Sequence, residues 1–199
     1  MERLPEEMAL EYQAATLYEV RMWSFGQLKA VREPLILSWH RKGTLDDDGI
    51  FGPRRDYECA CGKYRGMKYE RMICDICGVK IASHELRRTR FAHIELAYPI
   101  PHPLVTPVST LDAIPVLPAR FWESKAGALL ATSYEDVIRA NGMRDPHRLI
   151  EAVSRVFAVL LPVVLIAHRW GLEDTVVIAQ GLALVARSEE VNDLDLPRQ

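Results

Sequence analysis

The chain has 199 residues, of which 25 are Lys or Arg and 27 are Asp or Glu, for a formal net charge of −2. Apolar residues make up 49% and charged residues 26%, ordinary values that exclude a wholly disordered or collagen-like chain. The length suits one domain or two small ones with a buried core, and the near-zero charge gives no overall argument for nucleic acid or membrane.

The neutrality is a cancellation between blocks. Residues 1–53 carry six basic and nine acidic side chains, residues 54–90 ten basic and five acidic, and residues 91–199 nine basic and thirteen acidic.

In chain order, residues 1–55 read as an N-terminal helical segment. Met1-Glu2-Arg3-Leu4-Pro5-Glu6-Glu7 is acidic and lacks an apolar core, so no signal peptide is expected and a cytoplasmic protein is the expectation. Pro5 followed by Glu6 and Glu7 suits a helix start, because proline loses no needed N–H there and acids meet the positive helix end. Met8, Tyr12, Ala15 and Met22 recur at helical spacing, and Thr16 with Glu19 predicts a capping box that restarts a helix before Trp23. Asp46-Asp47-Asp48-Gly49 reads as a solvated loop rather than a carboxylate metal site, and Phe51-Gly52-Pro53 as a turn.

Residues 56–98 read as short strands and tight knuckles. All four cysteines lie here, as Cys59-Ala60-Cys61, twelve residues, then Cys74-Asp75-Ile76-Cys77. Four thiolates on two knuckles can complete a tetrahedron around one Zn²⁺. Gly62 and Gly78 follow the second cysteine of each pair, where glycine lets the chain turn sharply and aim backbone N–H groups at sulfur. Two disulfides or four free thiols are the alternatives, and a C-x-C pair is too close for easy disulfide geometry. With four cysteines filling the shell, the zinc is expected to be structural rather than catalytic. His84 and His93 are surplus to it.

Ten basic residues flank the cysteines, with Arg87-Arg88-Thr89-Arg90 the densest run. Arg65, Lys68, Arg87, Arg88 and Arg90 are the candidate contact residues. This face reads equally as a phosphate-contacting surface and as a solvated or protein-docking one, since five acids offset part of its charge and no base-reading helix accompanies it.

Pro99, Pro101, Pro103, Pro107, Pro115 and Pro118 make residues 99–120 an extended connector between two bodies. Residues 121–188 read as helical. One helix is expected over Tyr134–Ala140, capped by Ser133 and stopped by Asn141-Gly142. Two more, His147–Trp170 (kinked at Pro162) and Leu172–Arg187, form a hairpin that is apolar on several faces. Its expected place is inside the protein, with partner binding or membrane association as the sharper alternatives. The longest apolar run, Val156–Ala167, is short of the ~20 residues of a spanning helix, so no membrane partner is expected. Residues 189–199 read as an acidic tail. The fold class expected is α+β: a four-cysteine zinc ribbon of short strands with flanking helices and a C-terminal helical hairpin.

No nucleophile elbow, P-loop or G-x-G-x-x-G occurs. The stretches Tyr57–Tyr64, Ile73–Val79 and Arg87–Ala97 instead resemble the N-terminal zinc-binding region of the beta-prime subunit of bacterial RNA polymerase. Trp23–Lys29 and Asp48–Pro53 resemble the same subunit's start, and the likeness is collinear over residues 17–100. A weaker likeness follows in Ile114–Arg120 and Ala131–Asn141.

The resemblance implies a clamp-head-like chain in which Cys59, Cys61, Cys74 and Cys77 hold zinc. In the family that element lies near upstream DNA and the RNA exit path. Between Pro103 and Leu111 the family carries a long coiled coil that docks the sigma factor, and it is absent here. The aspartate motif for catalytic magnesium, Asn-Ala-Asp-Phe-Asp-Gly-Asp, is absent as well. Residues 147–199 carry no resemblance. The expectation is therefore a non-catalytic zinc protein that acts in transcription as an accessory, regulatory or clamp-mimicking protein, with RNA polymerase or a transcription factor as partner and nucleic acid as a second candidate. The alternatives are a split or truncated beta-prime piece and an exapted interaction module.

Overall fold

The capping box predicted from Thr16 and Glu19 is formed. The Glu19 carboxylate accepts the Thr16 N–H at 2.7 Å, and Thr16 Oγ1 accepts the Glu19 N–H at 3.3 Å. This opens α1, Leu17–Trp23. The computed structural model describes residues 11–30, 41–105, 109–125, 127–169, 178–179 and 182–185. The helix start expected at Pro5 and the acidic tail lie outside these residues.

Just ahead of the cap, over Glu11–Ala14, the chain is extended rather than helical. Strand β1, Glu11–Ala14, pairs antiparallel with a strand near the other end of the chain, Leu182–Val185. At Tyr12 the expected helical spacing is thus overridden by a partner about 170 residues away, while Met8 lies outside the described residues. After α1, strand β2 (Ser24–Gln27) runs parallel to β3 (Phe91–Pro101), and β3 pairs antiparallel with β4 (Thr110–Val116), giving the sheet order β2-β3-β4. Helix α2, Asp48–Phe51, is a single turn started by Asp47, whose side chain accepts from Gly49 N–H.

The proline-rich stretch is not a connector. It forms most of the β3–β4 hairpin, and Ile100, Leu111, Ile114 and Val116 from it are core residues. Pro115 stands opposite His93, whose carbonyl points the other way and accepts from Leu28 N–H at 2.8 Å. His93 and Pro115 therefore form a non-hydrogen-bonded pair, and the missing proline N–H costs the ladder nothing. The pairing becomes irregular between Glu95 and Ile100, where Pro99 falls.

Pro118 leads into α3, Ala119–Trp122, followed by α4 (Ala128–Met143) and α5 (Pro146–Arg169). Helix α4 is longer than Tyr134–Ala140, and Ser133 lies inside it, donating to the Leu129 carbonyl instead of capping. Arg144 ends α4 in the left-handed region at φ 53°. Asp145 then accepts from the N–H groups of His147 and Arg148, opening α5. Helix α4 folds back on α5 through two residues, a different pair from the hairpin expected over His147–Trp170 and Leu172–Arg187. Of the second helix expected over Leu172–Arg187, the described residues are strand instead, and the others lie outside the described residues. Ile178–Ala179 (β5) and Leu182–Val185 (β6) are strands paired with each other. An apolar run cannot by itself distinguish a buried helix from a buried strand.

One core joins the sheet to the helices. Leu28, Phe51, Ile94, Ile114, Trp122, Tyr134, Leu149 and Phe157 all belong to it. Phe51 meets Trp122 edge-on at 5.5 Å, and the Trp122 indole N–H donates to the Leu117 carbonyl. The cysteine segment has a small cluster of its own, built on Cys59, Cys74, Cys77, Val79 and Ile81. The architecture is α+β. Among the described residues no helix is long and apolar enough to cross a membrane.

Candidate metal centre

Two knuckles of the same local design bring the cysteines together. In the first, Cys59 N–H donates to the Tyr64 carbonyl and Gly62 N–H to the Cys59 carbonyl. In the second, Cys74 N–H donates to the Val79 carbonyl and Gly78 N–H to the Cys74 carbonyl. Gly62 and Gly78 have φ of +77° and +75°, the left-handed turn that their place after each pair predicts. Each knuckle is flanked by a single bridge, Glu58 with Arg65 and Ile73 with Lys80.

All four thiols are free, and their sulfur atoms lie within 4.8 Å of one another. Cys59 Sγ and Cys74 Sγ each lie 3.5 Å from Cys61 Sγ, far beyond the ~2.05 Å of a disulfide. The Tyr64 N–H donates to Cys59 Sγ at 3.2 Å. Burial opposes ionisation of Cys74, but the backbone N–H groups of Cys77 and Ile76 and the neighbouring thiols outweigh it and bring it down to about 7. Burial and the other three sulfurs push Cys61 up to about 12 against the Lys63 N–H. Four crowded sulfurs that share hydrogen bonds resist carrying four charges together, and a bound cation removes that conflict. The set can hold one metal ion.

His84 and His93 are engaged elsewhere. His84 bonds Asp56, and its backbone N–H and ring hold the Asp56 carboxyl at about 2. The His93 ring bonds Ser24 at 2.7 Å.

The candidate contact residues divide. Arg65, Lys68 and Arg88 are exposed; Arg65 pairs with Glu58, Arg88 with Glu85, and Lys68 lies 4.8 Å over the Tyr69 ring. Arg87 is 2% exposed and donates to Glu123, to Asp48 and to the Gly52 carbonyl. Arg90 is buried too, stacked 4.6 Å from the Phe25 ring, with its guanidinium directed at the Ile50 carbonyl. As surface contacts Arg87 and Arg90 are corrected: both side chains tie the segment after the knuckles to the sheet and helices. A dense basic run has the same appearance in sequence whether its acids come from solvent-facing partners or from Asp48 and Glu123, so nothing local could have separated them.

The Asp46–Asp48 triplet is also consumed internally. Arg41 pairs with Asp46, and Arg54 spans Asp46 and Asp48 at 2.9 and 3.2 Å. These residues line a cleft of about 320 Å³ beside Cys59 and Cys77.

No protein-family model matches the chain. It is similar to the DNA-directed RNA polymerase subunit beta' of Rhodopirellula baltica, 43% identical over 105 residues that make up 51% of this chain and 7% of that protein. The subunit beta' of Pediococcus acidilactici is 44% identical over 88 residues, 42% of this chain and 8% of that protein. That of Leuconostoc citreum is 44% identical over 88 residues, 42% of this chain and 7% of that protein. The matched stretch thus spans less than a tenth of these relatives' length, while about half of this chain is homologous to part of the beta-prime subunit.

Proposed function

We propose that the chain is a non-catalytic, zinc-binding, clamp-head-like protein that acts in transcription, as an accessory or regulatory partner of RNA polymerase or of a factor that grips its clamp. The observation that carries this reading is the convergence of Cys59, Cys61, Cys74 and Cys77 within 4.8 Å in a chain about half of which is 43–44% identical to part of the beta-prime subunit. A tetrahedral ion with Zn–S bonds of about 2.3 Å separates its sulfurs by about 3.8 Å. Two of the separations are 3.5 Å and all lie within 4.8 Å, a spread that brackets this value. Four thiolates favour zinc over hard cations such as Mg²⁺ and Ca²⁺ and leave no open position for catalysis. The zinc supplies folding free energy to a segment with a small apolar cluster. A cytoplasmic location goes with this reading.

The test is affinity purification of the full chain from native extract at low and high salt, with mass spectrometry and zinc determination. The expected result is one zinc per chain and recovery of RNA polymerase or a transcription factor. Recovery of neither rejects the role in transcription.

A second reading, a piece of a split or truncated beta-prime subunit, draws on the same identity to beta-prime. It predicts stoichiometric presence in purified polymerase beside a separate chain that carries the catalytic aspartates. An accessory protein is substoichiometric there.

A further inference from the structure

Most of the positive charge around the cysteines is spent inside the protein. Arg54, Arg55, Lys63, Arg65, Arg87 and Arg88 are each in an ion pair, and Arg90 is buried. Among the described residues, and apart from the buried Arg90, Lys68, Arg71 and Lys80 are the basic side chains of this block without an acidic partner; of its acids, Glu70 is the one left unpaired.

The same short stretch of chain leaves apolar side chains in water. Met67, Met72, Ile73 and Ile76 are 66%, 45%, 66% and 49% exposed, all within ten residues. Ile73 and Lys80 are direct cross-strand partners, so their side chains leave the same side of the bridge. Scattered exposed apolar residues are normal, but a cluster of them beside unpaired charge marks an interaction surface. Interfaces are enriched in Met and Arg.

We propose that this exposed segment of the metal-binding element, which presents Met67, Met72, Ile73 and Ile76 with Lys68, Arg71 and the Ile73 partner Lys80, docks an acidic protein segment that carries apolar anchors. The inference deepens the proposed role in transcription by naming the kind of partner, and it rests on that reading for the metal that holds the face together. Charge complementarity selects an acidic occupant, and the aliphatic side chains select protein over nucleic acid. Single-stranded nucleic acid is held by aromatic stacking along a basic track. Here Tyr64 and Tyr69 pack edge-on against each other at 5.0 Å and against the cysteine cluster. Three unpaired cations are a short track for phosphates.

The test places a photoreactive benzoylphenylalanine at position 73 of the full, metal-loaded chain, with position 18 as an exposed control outside this face. Crosslinking is done in extract of the producing cells, and adducts are mapped by mass spectrometry. The expected adduct at position 73 is a peptide rich in Asp or Glu with apolar residues, absent at position 18. The double variant Lys68→Glu, Arg71→Glu lowers its yield at least fivefold while keeping one metal ion per chain. An adduct removed by nuclease, an adduct on a neutral or basic segment, a yield unmoved by the charge reversal, or no adduct overturns the proposal. If the mapped segment belongs to a protein outside transcription, the docking surface stands and the role in transcription falls. If the adduct is nuclease-sensitive on a chain that still co-purifies with polymerase, the docking surface falls and the role in transcription stands.

Discussion

Arg87 and Glu123 lie 36 residues apart, and the guanidinium of one donates two hydrogen bonds to the carboxylate of the other from a site that is 2% exposed. The same guanidinium reaches Asp48 at 3.1 Å and the Gly52 carbonyl at 2.7 Å. One side chain thereby joins the turn after α2, the segment after the knuckles and the end of α3. Arg87→Ala leaves Asp48 with Arg54 as its remaining cation and the Gly52 carbonyl without this donor. Breaking a buried pair from one side costs roughly 3–5 kcal/mol, and partial exposure of Glu123 places this one at about 3. Urea denaturation measures it, and a loss under about 0.5 kcal/mol contradicts the account.

Cys74→Ser is expected to abolish metal binding and to unfold residues 57–82 locally while the sheet and helices stay folded. The basis is that the cysteine segment packs on its own small cluster, distinct from the core of Ile94, Ile114, Tyr134 and Leu149. Metal analysis with amide hydrogen exchange reads both halves of the expectation. A variant with one metal per chain and unchanged exchange over 57–82 rules out Cys74 as a ligand.

Local chemistry was legible in the sequence, and distant pairing was not. The Thr16–Glu19 box and the two glycine-ended knuckles are set within a few residues, so their spacing alone predicts them. The prolines of 99–118 misled because whether proline can enter a strand depends on which way the opposing residue faces, and only the third strand shows that His93 turns its carbonyl to Leu28. Arg87 misled for the same reason: its acids are distant in sequence. The apolar stretch near 178–185 carries no period that separates helix from strand, and its pairing with Glu11–Ala14 decides it.

Gly78→Ala isolates backbone strain from crowding. A Cβ built at Gly78 meets no atom within 4 Å, yet φ is +75°. The left-handed conformation costs a non-glycine residue about 1–2 kcal/mol. The variant is expected to keep its metal stoichiometry and to bind the ion about tenfold more weakly, as competition with a chelator measures. Unchanged affinity shows that the knuckle does not need its left-handed turn.

His102 makes the β3–β4 turn sensitive to acid. Its Nδ1 accepts the N–H groups of both Leu104 and Val105 at 3.1 Å, so the folded state needs that nitrogen unprotonated. The ring is buried, packs edge-on against Phe157 at 5.0 Å, and its Nε2 has no partner among the described residues. Burial holds its pKa below the ordinary 6.5. A histidine with a depressed folded pKa leaves the unfolded chain binding more protons below 6.5, so its contribution to stability is complete above that pH and declines as the pH falls beneath it. Burial lowers His93 in the same direction. Stability is therefore expected to fall from pH 7 to pH 5.5, with faster exchange of the Leu104 and Val105 amides. His102→Asn offers an uncharged acceptor in place of Nδ1 and should flatten the pH dependence at those two amides while leaving the His93 share in place. If the pH profile of the variant matches that of the parent, the Nδ1 acceptor role is wrong.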